Sequence, residues 1–131
     1  MTSSTSTSAV VIGASGGIGQ ALVSRLPASA AYAPIIALSR SQPSVPRGVR
    51  THSIDLGDEA SIATAAAKVG EAGSAGLIIV ATGILHQEGV LPEKALKALD
   101  PAAMAAVLSI NTIGPALVAK HFVPLLAREG R

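Results

Sequence analysis

The fold of this chain is decided by the stretch Ala9-Val10-Val11-Ile12-Gly13-Ala14-Ser15-Gly16-Gly17-Ile18-Gly19. Residues 9–12 form a short β-branched run that predicts a buried parallel strand, and residues 20–26 have the spacing of a helix. The glycines between them allow a tight turn, a close approach of a phosphate and close packing of helix on strand. N–H groups at the helix start attract an anion. The pattern predicts a site for the phosphates of a dinucleotide.

The spacing of the glycines is G-x-x-x-G-x-G, with Gly13, Gly17 and Gly19 at its three positions. A nucleotide-binding P-loop would close with Lys-Ser or Lys-Thr, whereas Gln20-Ala21 stands in that place, so the P-loop class is excluded. The alternative is that the glycines serve only the turn between strand and helix and hold no ligand.

The composition points to one α/β domain with an aliphatic core. The chain has 131 residues, of which 49% are hydrophobic, 14% charged and 2% aromatic. Such a core suits buried parallel strands covered by alanine-rich helices. The net charge is only +2 and the basic residues are scattered, so we expect no nucleic-acid partner. The absence of cysteine excludes disulfides and a thiolate nucleophile, and it fits a reducing compartment such as the cytoplasm.

The first eight residues are rich in Ser and Thr, which predicts a disordered leader ahead of one domain over residues 9–131. The leader has neither the charge nor the apolar region of a signal peptide, and no apolar stretch of 18 residues follows it. We therefore expect neither secretion nor a membrane partner.

The remaining elements alternate between strands and helices. Apolar runs predict strands over residues 35–39, 51–54 and 77–81. Helices are predicted over residues 59–69, 101–110 and 116–126, the last one beginning after Gly114-Pro115. This order predicts a doubly wound α/β sheet with parallel strands.

Short motifs follow the predicted strands in a fixed order. They are Gly13-Ala14-Ser15-Gly16-Gly17-Ile18-Gly19, Ser39-Arg40, Asp55-Leu56, Ala81-Thr82-Gly83 and, between the last two helices, Asn111-Thr112-Ile113-Gly114-Pro115. Together they resemble the short-chain dehydrogenase/reductase family, and within it the C-factor-like branch. The resemblance implies a Rossmann-like fold with strand order 3-2-1-4 over these residues. It also implies an NADP(H)-dependent oxidoreductase acting on carbonyl or alcohol substrates.

The same resemblance implies roles for single residues. The glycine loop would hold the pyrophosphate and adenosine ribose, Arg40 the 2′-phosphate of NADP rather than NAD, and Asp55 with Leu56 the adenine. The loop residues concerned are Gly13, Ser15, Gly17, Ile18 and Gly19, and the turn after the fourth strand adds Ala81, Thr82 and Gly83. Where the family commonly has Asn, this chain has Val80-Ala81, which puts a side-chain brace between the central strands in doubt.

Three of these residues also have a purely structural interpretation. Arg40 would be an exposed residue that aids solubility, and Asp55 would be a turn or helix-start residue. Asn111 matches the asparagine that supports the catalytic lysine through water in the family. Its alternative is a helix cap ahead of Gly114-Pro115.

The catalytic Tyr-x-x-x-Lys pair of the family does not occur in this sequence. Tyr32 is the only tyrosine, and Ile36 follows it four residues later. His86 and His121 are the other acid–base candidates, and structural roles are favoured for both. No spacing of His, Asp or Glu suggests a metal site. The resemblance therefore covers the N-terminal, cofactor-binding half of a reductase, and a carbonyl substrate is expected only if the chain continues. The alternative is a non-catalytic nucleotide-binding or interaction module that is complete at Arg131.

Two apolar surfaces are expected to remain uncovered. The strand over residues 77–81 would be an unprotected sheet edge, and the helix over residues 116–126 is apolar around most of its circumference. The second feature predicts a homo-oligomer formed through that helix.

Overall fold

The computed structural model describes residues 6–85, 89 and 91–131. Four parallel strands form one sheet in the order β3-β2-β1-β4, which confirms the predicted class and strand order. The strands are β1 (Ser8–Ile12), β2 (Ile35–Ser39), β3 (Arg50–Ser53) and β4 (Ala75–Val80). In the register of the sheet, Val11 of β1 lies opposite Ala37 of β2 and Ile79 of β4.

Helices cover both faces of this sheet. Helix α1 (Gly17–Arg25) packs on one face, where Val23 meets Val11 and Ala37. Helix α2 (Glu59–Gly70) and a longer C-terminal helix pack on the other face, where the larger core cluster lies. Strands β1 and β2 are buried throughout because each has a neighbour on both sides and a helix on both faces, which explains their unbroken apolar runs.

The beginning of α2 follows the expected chemistry. The Asp58 carboxylate is the N-cap, and its Oδ1 accepts a hydrogen bond from Ala60 N–H at 3.0 Å. Glu59 lies in the first turn and Lys68 in the last, so each charge interacts favourably with the helix dipole. Short 3₁₀ turns occur at Leu26–Ser29, Leu96–Ala98 and Val123–Leu125.

The prediction of two separate C-terminal helices is wrong. Helix α3 (Pro101–Leu108), a π-helical turn (Ser109–Ile113) and helix α4 (Gly114–Phe122) follow one another without a break. The N–H of Gly114 donates to the Ser109 carbonyl, which is the bond of a π turn. This wider turn lets Pro115, which has no N–H, lie inside the helix rather than start a new one.

Because the helix is continuous, it is long enough to span a membrane. The helical run Pro101–Leu125 has a mean hydropathy of 1.7 in its most apolar window, so by length and composition alone it could cross a membrane. The sequence prediction that no apolar stretch of this length occurs is therefore wrong. In the fold the helix lies against the sheet, with Val118 and Phe122 buried in the larger core cluster.

Two further boundaries differ from the sequence prediction. Strand β1 begins at Ser8, which is 1% exposed, so the predicted leader includes a strand residue; residues 1–5 lie outside the described part. The outer edge of β4 is partly paired, since Arg131 N–H donates to the Gly76 carbonyl and Ile78 N–H donates to the Arg131 carbonyl. The expectation of a bare edge is wrong at this end of β4.

Candidate functional site

A cleft of about 570 Å³ opens at the carboxyl ends of the strands. Its volume lies within the range of small-molecule sites in proteins. Most of the predicted cofactor residues line it, namely Gly13, Ser15, Arg40, Asp55, Leu56, Ala81, Thr82 and Gly83. Five further residues, to which the sequence assigned no binding role, also line the cleft: Gly16, Ser39, Ile54, Ile84 and Ile110. Gly16 and Ser39 belong to the quoted motifs, and Ile54, Ile84 and Ile110 each stand next to one in the sequence.

The first glycine of the loop lies between two strands. Gly13 has a φ of +91°, and a Cβ there would lie 2.6 Å from the Ala81 carbonyl oxygen. The N–H groups of Gly13 and Ala14 both donate to the Leu38 carbonyl, at 2.8 and 3.0 Å. A side chain at this position is excluded by both the backbone conformation and the contact with β4.

Of the later glycines of the loop, Gly16 lines the cleft, whereas Gly17 and Gly19 do not. A Cβ at Gly19 would overlap the Gly13 carbonyl, so this glycine permits close packing of α1 on the loop. Gly17 has open space where its Cβ would point, and the Ile18 side chain is 75% exposed. Gly16 is the N-cap of α1, no side chain caps this end, and no acidic residue lies in the first turn. The helix therefore presents uncapped N–H groups and no negative charge, which suits an anion.

A tight turn forms the opposite wall of the cleft. Asp55 Oδ1 accepts a hydrogen bond from Gly57 N–H at 2.9 Å, and the Ser61 hydroxyl oxygen accepts one from Asp55 N–H at 2.9 Å. The turn interpretation of Asp55 is therefore confirmed, whereas the helix cap is Asp58. Leu56 is 6% exposed, because it packs against Gly114 of the long helix.

Arg40 lies at one end of the cleft and also lines a second cavity of about 340 Å³. This second cavity is polar, with the side chains of Ser41, Thr51 and His52 among its lining residues. None of the residues that line it in the described chain is acidic. An exposed guanidinium beside hydroxyl groups is an environment for a phosphate.

The turn after β4, where Val80-Ala81 put an asparagine brace in doubt, is joined to β1 by a main-chain hydrogen bond. Ala81 N–H donates to the Ile12 carbonyl at 2.7 Å, which extends the pairing of β1 with β4. The Thr82 hydroxyl oxygen is buried and has no hydrogen-bond partner among the described residues. A buried hydroxyl without a partner is uncommon, and this one belongs to a residue that lines the cleft.

Asn111 does not cap a helix, so that interpretation is wrong. It lies inside the π turn, and its side chain forms two hydrogen bonds with the main chain of Ile84. The α-helical donor for the Asn111 carbonyl would be the N–H of residue 115, which proline lacks. The turn therefore leaves this carbonyl without its α-helical partner, close to the cleft residues Ile84 and Ile110.

The two acid–base candidates that the structure describes lie outside the cleft. Tyr32 approaches Gly76 near the start of β4, about 16 Å along the strand from Ala81 by the usual rise per residue. His121 Nε2 lies 2.9 Å from Glu59 Oε1, which also accepts a hydrogen bond from Lys120 Nζ at 2.6 Å. The hydrogen bonds from Lys120 and then His121 hold the pKa of Glu59 below its ordinary value. His86 falls outside the described residues.

No group of three metal-ligating side chains occurs in the part of the chain that the structure covers. The charged residues among those that line the cleft are Arg40 and Asp55, and Ser15, Ser39 and Thr82 add hydroxyl groups.

The chain is similar in sequence and in fold to known oxidoreductases. No family model matches the chain. A curated relative, the short chain dehydrogenase tazN of Aspergillus terreus, is 38% identical over 79 residues, which are 60% of this chain and 16% of the relative. NADPH-bound carbonyl reductase from chicken fatty liver is 27% identical with a TM-score of 0.76 and is matched over 90% of this chain and 47% of its own.

Two further solved structures share the fold. The putative carbonyl reductase Sniffer of Caenorhabditis elegans is 26% identical with a TM-score of 0.78, over 90% of this chain and 52% of its own. An NADH-dependent reductase complexed with NAD is 17% identical with a TM-score of 0.74, over 92% of this chain and 52% of its own. The chain thus spans about half the length of these structures. The chain is therefore similar in sequence to part of a fungal short chain dehydrogenase, and it shares the fold of about half of these reductases' length.

Proposed function

We propose that the cleft binds a nicotinamide dinucleotide, and that the chain is the cofactor-binding part of an NADP(H)-dependent oxidoreductase. The reaction is hydride transfer between the nicotinamide and a carbonyl or alcohol substrate. The observation that carries the proposal is the position of the cleft, at the carboxyl ends of parallel strands and beside the uncapped start of α1. In open α/β sheets, ligands bind at this edge.

The residues present fit the phosphates of such a cofactor. Gly17 leaves open space beside the first turn of α1, so a pyrophosphate can reach the backbone N–H groups there. Thr82 lines the cleft with its methyl group beside Gly13, and its hydroxyl, which has no partner among the described residues, would be a further donor. Across the cleft, Asp55 would accept a hydrogen bond from the adenine amino group, and Leu56 would provide an apolar wall and backbone contact.

The preference for NADP over NAD rests on Arg40. Arg40 lines the second cavity, where the other lining residues include hydroxyl and imidazole groups and no carboxylate. A dianionic 2′-phosphate would receive charge-assisted hydrogen bonds there. Enzymes that prefer NAD need an acidic residue for the ribose hydroxyls. The compared structures include both an NADPH-bound and an NAD-bound reductase, so the preference depends on Arg40 alone.

A bound nicotinamide supplies the hydride, and this chain's residues would bind and orient the cofactor. No tyrosine or histidine is among the described residues that line the cleft, since Tyr32 lies at the other end of the sheet and His121 is paired with Glu59. Asn111 would hold the loop at Ile84 in place beside the nicotinamide end. We therefore expect residues 1–131 alone to bind the cofactor without reducing a carbonyl.

The test is a titration of the purified chain with NADPH and with NADH, followed by fluorescence of the reduced nicotinamide. Saturable binding that is tighter for NADPH supports the proposal, and an absence of saturable binding to the folded chain contradicts it. An assay with an aldehyde or ketone accompanies the titration. Turnover by this chain would mean that one of the residues assigned to structure is the acid.

A second candidate concerns the long helix, for which we propose a second copy of the chain as partner. Met104, Leu108, Ile113 and Val123 are 41–57% exposed, an unusual amount of apolar surface for one helix. The helix also carries Lys120 and His121, which favours a protein partner in the cytoplasm over lipid. Leu108→Glu should convert a dimer to a monomer in sedimentation, while Ala28→Glu, on the opposite face of the sheet, should not. Flotation of the chain with liposomes would instead indicate a membrane partner.

A further inference from the structure

Gly114 lies in the middle of the long helix with ordinary helical angles, φ −54° and ψ −55°. Glycine destabilises a helix interior relative to alanine, and no left-handed conformation requires it here. It is one of the buried residues of α4. The reason for a glycine at this position must therefore be a close contact.

That contact is with Leu56, a wall of the cleft. A Cβ on residue 114 would lie 2.9 Å from the Cβ of Leu56 and 3.2 Å from both its Cδ2 and its carbonyl oxygen. Packed atoms do not approach this closely, so even alanine would displace either the helix or Leu56. Gly114 thus lets the helix press directly on the main chain of the turn that contains Asp55.

The turn is held from both sides. From α2, the Ser61 hydroxyl accepts the hydrogen bond of Asp55 N–H, and from the long helix, Ile110 Cδ1 packs towards Gly57. Because Ser61 restrains one side and Gly114 the other, the open space into which Leu56 can move is the cleft that it lines.

We propose that Gly114 is a positioning residue for the adenosine end of the dinucleotide site. It contacts no ligand in this arrangement. It acts by keeping Leu56 out of the cleft and the Asp55 carboxylate beside it. The inference rests on the proposed function, because the ligand is taken to be a nicotinamide dinucleotide.

The test uses Gly114→Ala and two ligands, NADPH and its adenosine fragment 2′,5′-ADP. We expect both affinities to fall by the same factor, roughly two- to thirtyfold, because the change is confined to the adenosine end. Val118→Ala is the matched control, since it removes buried atoms from the same helix one turn later. It should lower the unfolding temperature and leave both affinities unchanged.

A double variant separates positioning from general loosening. Leu56→Gly removes the Cβ and Cδ2 atoms that an alanine at position 114 would meet, so adding Gly114→Ala to Leu56→Gly should lower the affinity for 2′,5′-ADP by a smaller factor than it does in the parent chain. If Gly114→Ala does not fold, Ile110→Ala takes its place, because it removes the contact of the long helix with Gly57. It should lower the affinity for 2′,5′-ADP without adding an atom that overlaps Leu56.

Several results would overturn the inference. They are parental affinity in Gly114→Ala, an equal loss in Val118→Ala, an undiminished effect of Gly114→Ala in the Leu56→Gly background and, where Gly114→Ala does not fold, parental affinity in Ile110→Ala. A parent chain that binds neither ligand would instead contradict the proposed function, so the two failures are distinguishable.

Discussion

Asn111 and Ile84 are joined by a pair of hydrogen bonds, although 27 residues separate them in the chain. Asn111 Oδ1 accepts from Ile84 N–H at 2.7 Å, and Asn111 Nδ2 donates to the Ile84 carbonyl at 2.7 Å. One amide side chain thus satisfies both main-chain groups of a loop residue. The pair ties the π turn of the long helix to the loop after β4, which forms one wall of the cleft.

Replacement of Asn111 should therefore loosen this wall. In Asn111→Ala both main-chain groups of Ile84 lose their partner, and because the pair is exposed to water we expect a loss of about 0.5–1.5 kcal/mol in the free energy of unfolding. Urea denaturation measures this change. Asn111→Asp keeps an acceptor for the N–H but sets an oxygen against the Ile84 carbonyl, so it should not restore the stability. Parental stability in both variants would contradict this role for the pair.

Arg40→Asp should reverse the cofactor preference, because it places a carboxylate where the 2′-phosphate would lie. A charge-assisted hydrogen bond contributes about 1.5–3 kcal/mol, which corresponds to a ten- to hundredfold difference in affinity. Arg40 is exposed, so we expect the lower part of that range in the parent chain. Titration with NADPH and NADH gives the ratio.

Arg47→Asp is the matched control for Arg40. Arg47 is exposed in the same surface loop and lines neither cavity. It changes the net charge by the same amount, so it should leave the ratio of the two affinities unaltered. Equal affinities of the parent chain for NADPH and NADH would dismiss the assigned role of Arg40.

The glycine loop allows a contrast between ligand contact and packing. Gly17→Val adds a branched side chain in open space, so the fold should persist while NADPH binding falls below detection. Gly19→Ala instead forces an overlap with the Gly13 carbonyl and should lower the unfolding temperature. Circular dichroism with parallel NADPH titration distinguishes the two effects. Parental affinity in Gly17→Val would mean that the loop is only a turn.

The cluster around Glu59 predicts a dependence of stability on acid. Hydrogen bonds from Lys120 and His121 lower the pKa of Glu59 in the folded chain below its ordinary value of 4.5. A lowered pKa contributes stability above the ordinary value, and this contribution is lost as the pH falls through the folded-state pKa. In Glu59→Gln the unfolding temperature should depend less on pH, between about pH 5 and pH 3, than it does in the parent chain. The effect should be small, because the cluster is partly exposed, and superimposable profiles would refute it.

The sheet could be predicted because its signals are local. The apolar runs of β1 and β2 reflect burial on both faces, and the Asp58 cap of α2 is a short-range pattern. The interpretation of Gly114-Pro115 as a helix start failed because the π turn depends on contacts distant in sequence. Asn111 reaches Ile84 across the fold, and Gly114 packs on Leu56. The spacing of residues along the sequence does not predict such contacts.

The site could be predicted only where a motif marks it. Asp55 and Arg40 follow strands whose ends meet at the cleft, whereas Ile110 reaches it only through the path of the long helix. The specific ligand of the cleft, the C-factor-like branch and the site roles stay predictions.

The central claim, that the dinucleotide lies between the glycine loop and the Asp55–Leu56 turn, is tested most directly by amide chemical shifts of the isotope-labelled chain during titration with NADP⁺. The predicted result is a set of saturating shifts at both walls of the cleft, which are residues 13–17, 40–41, 55–57 and 81–84. Amides near Tyr32 and Gly76, at the opposite end of the sheet, should remain unchanged. Saturating shifts confined to that end or to the exposed face of the long helix, or no shifts in a folded chain, would contradict the claim.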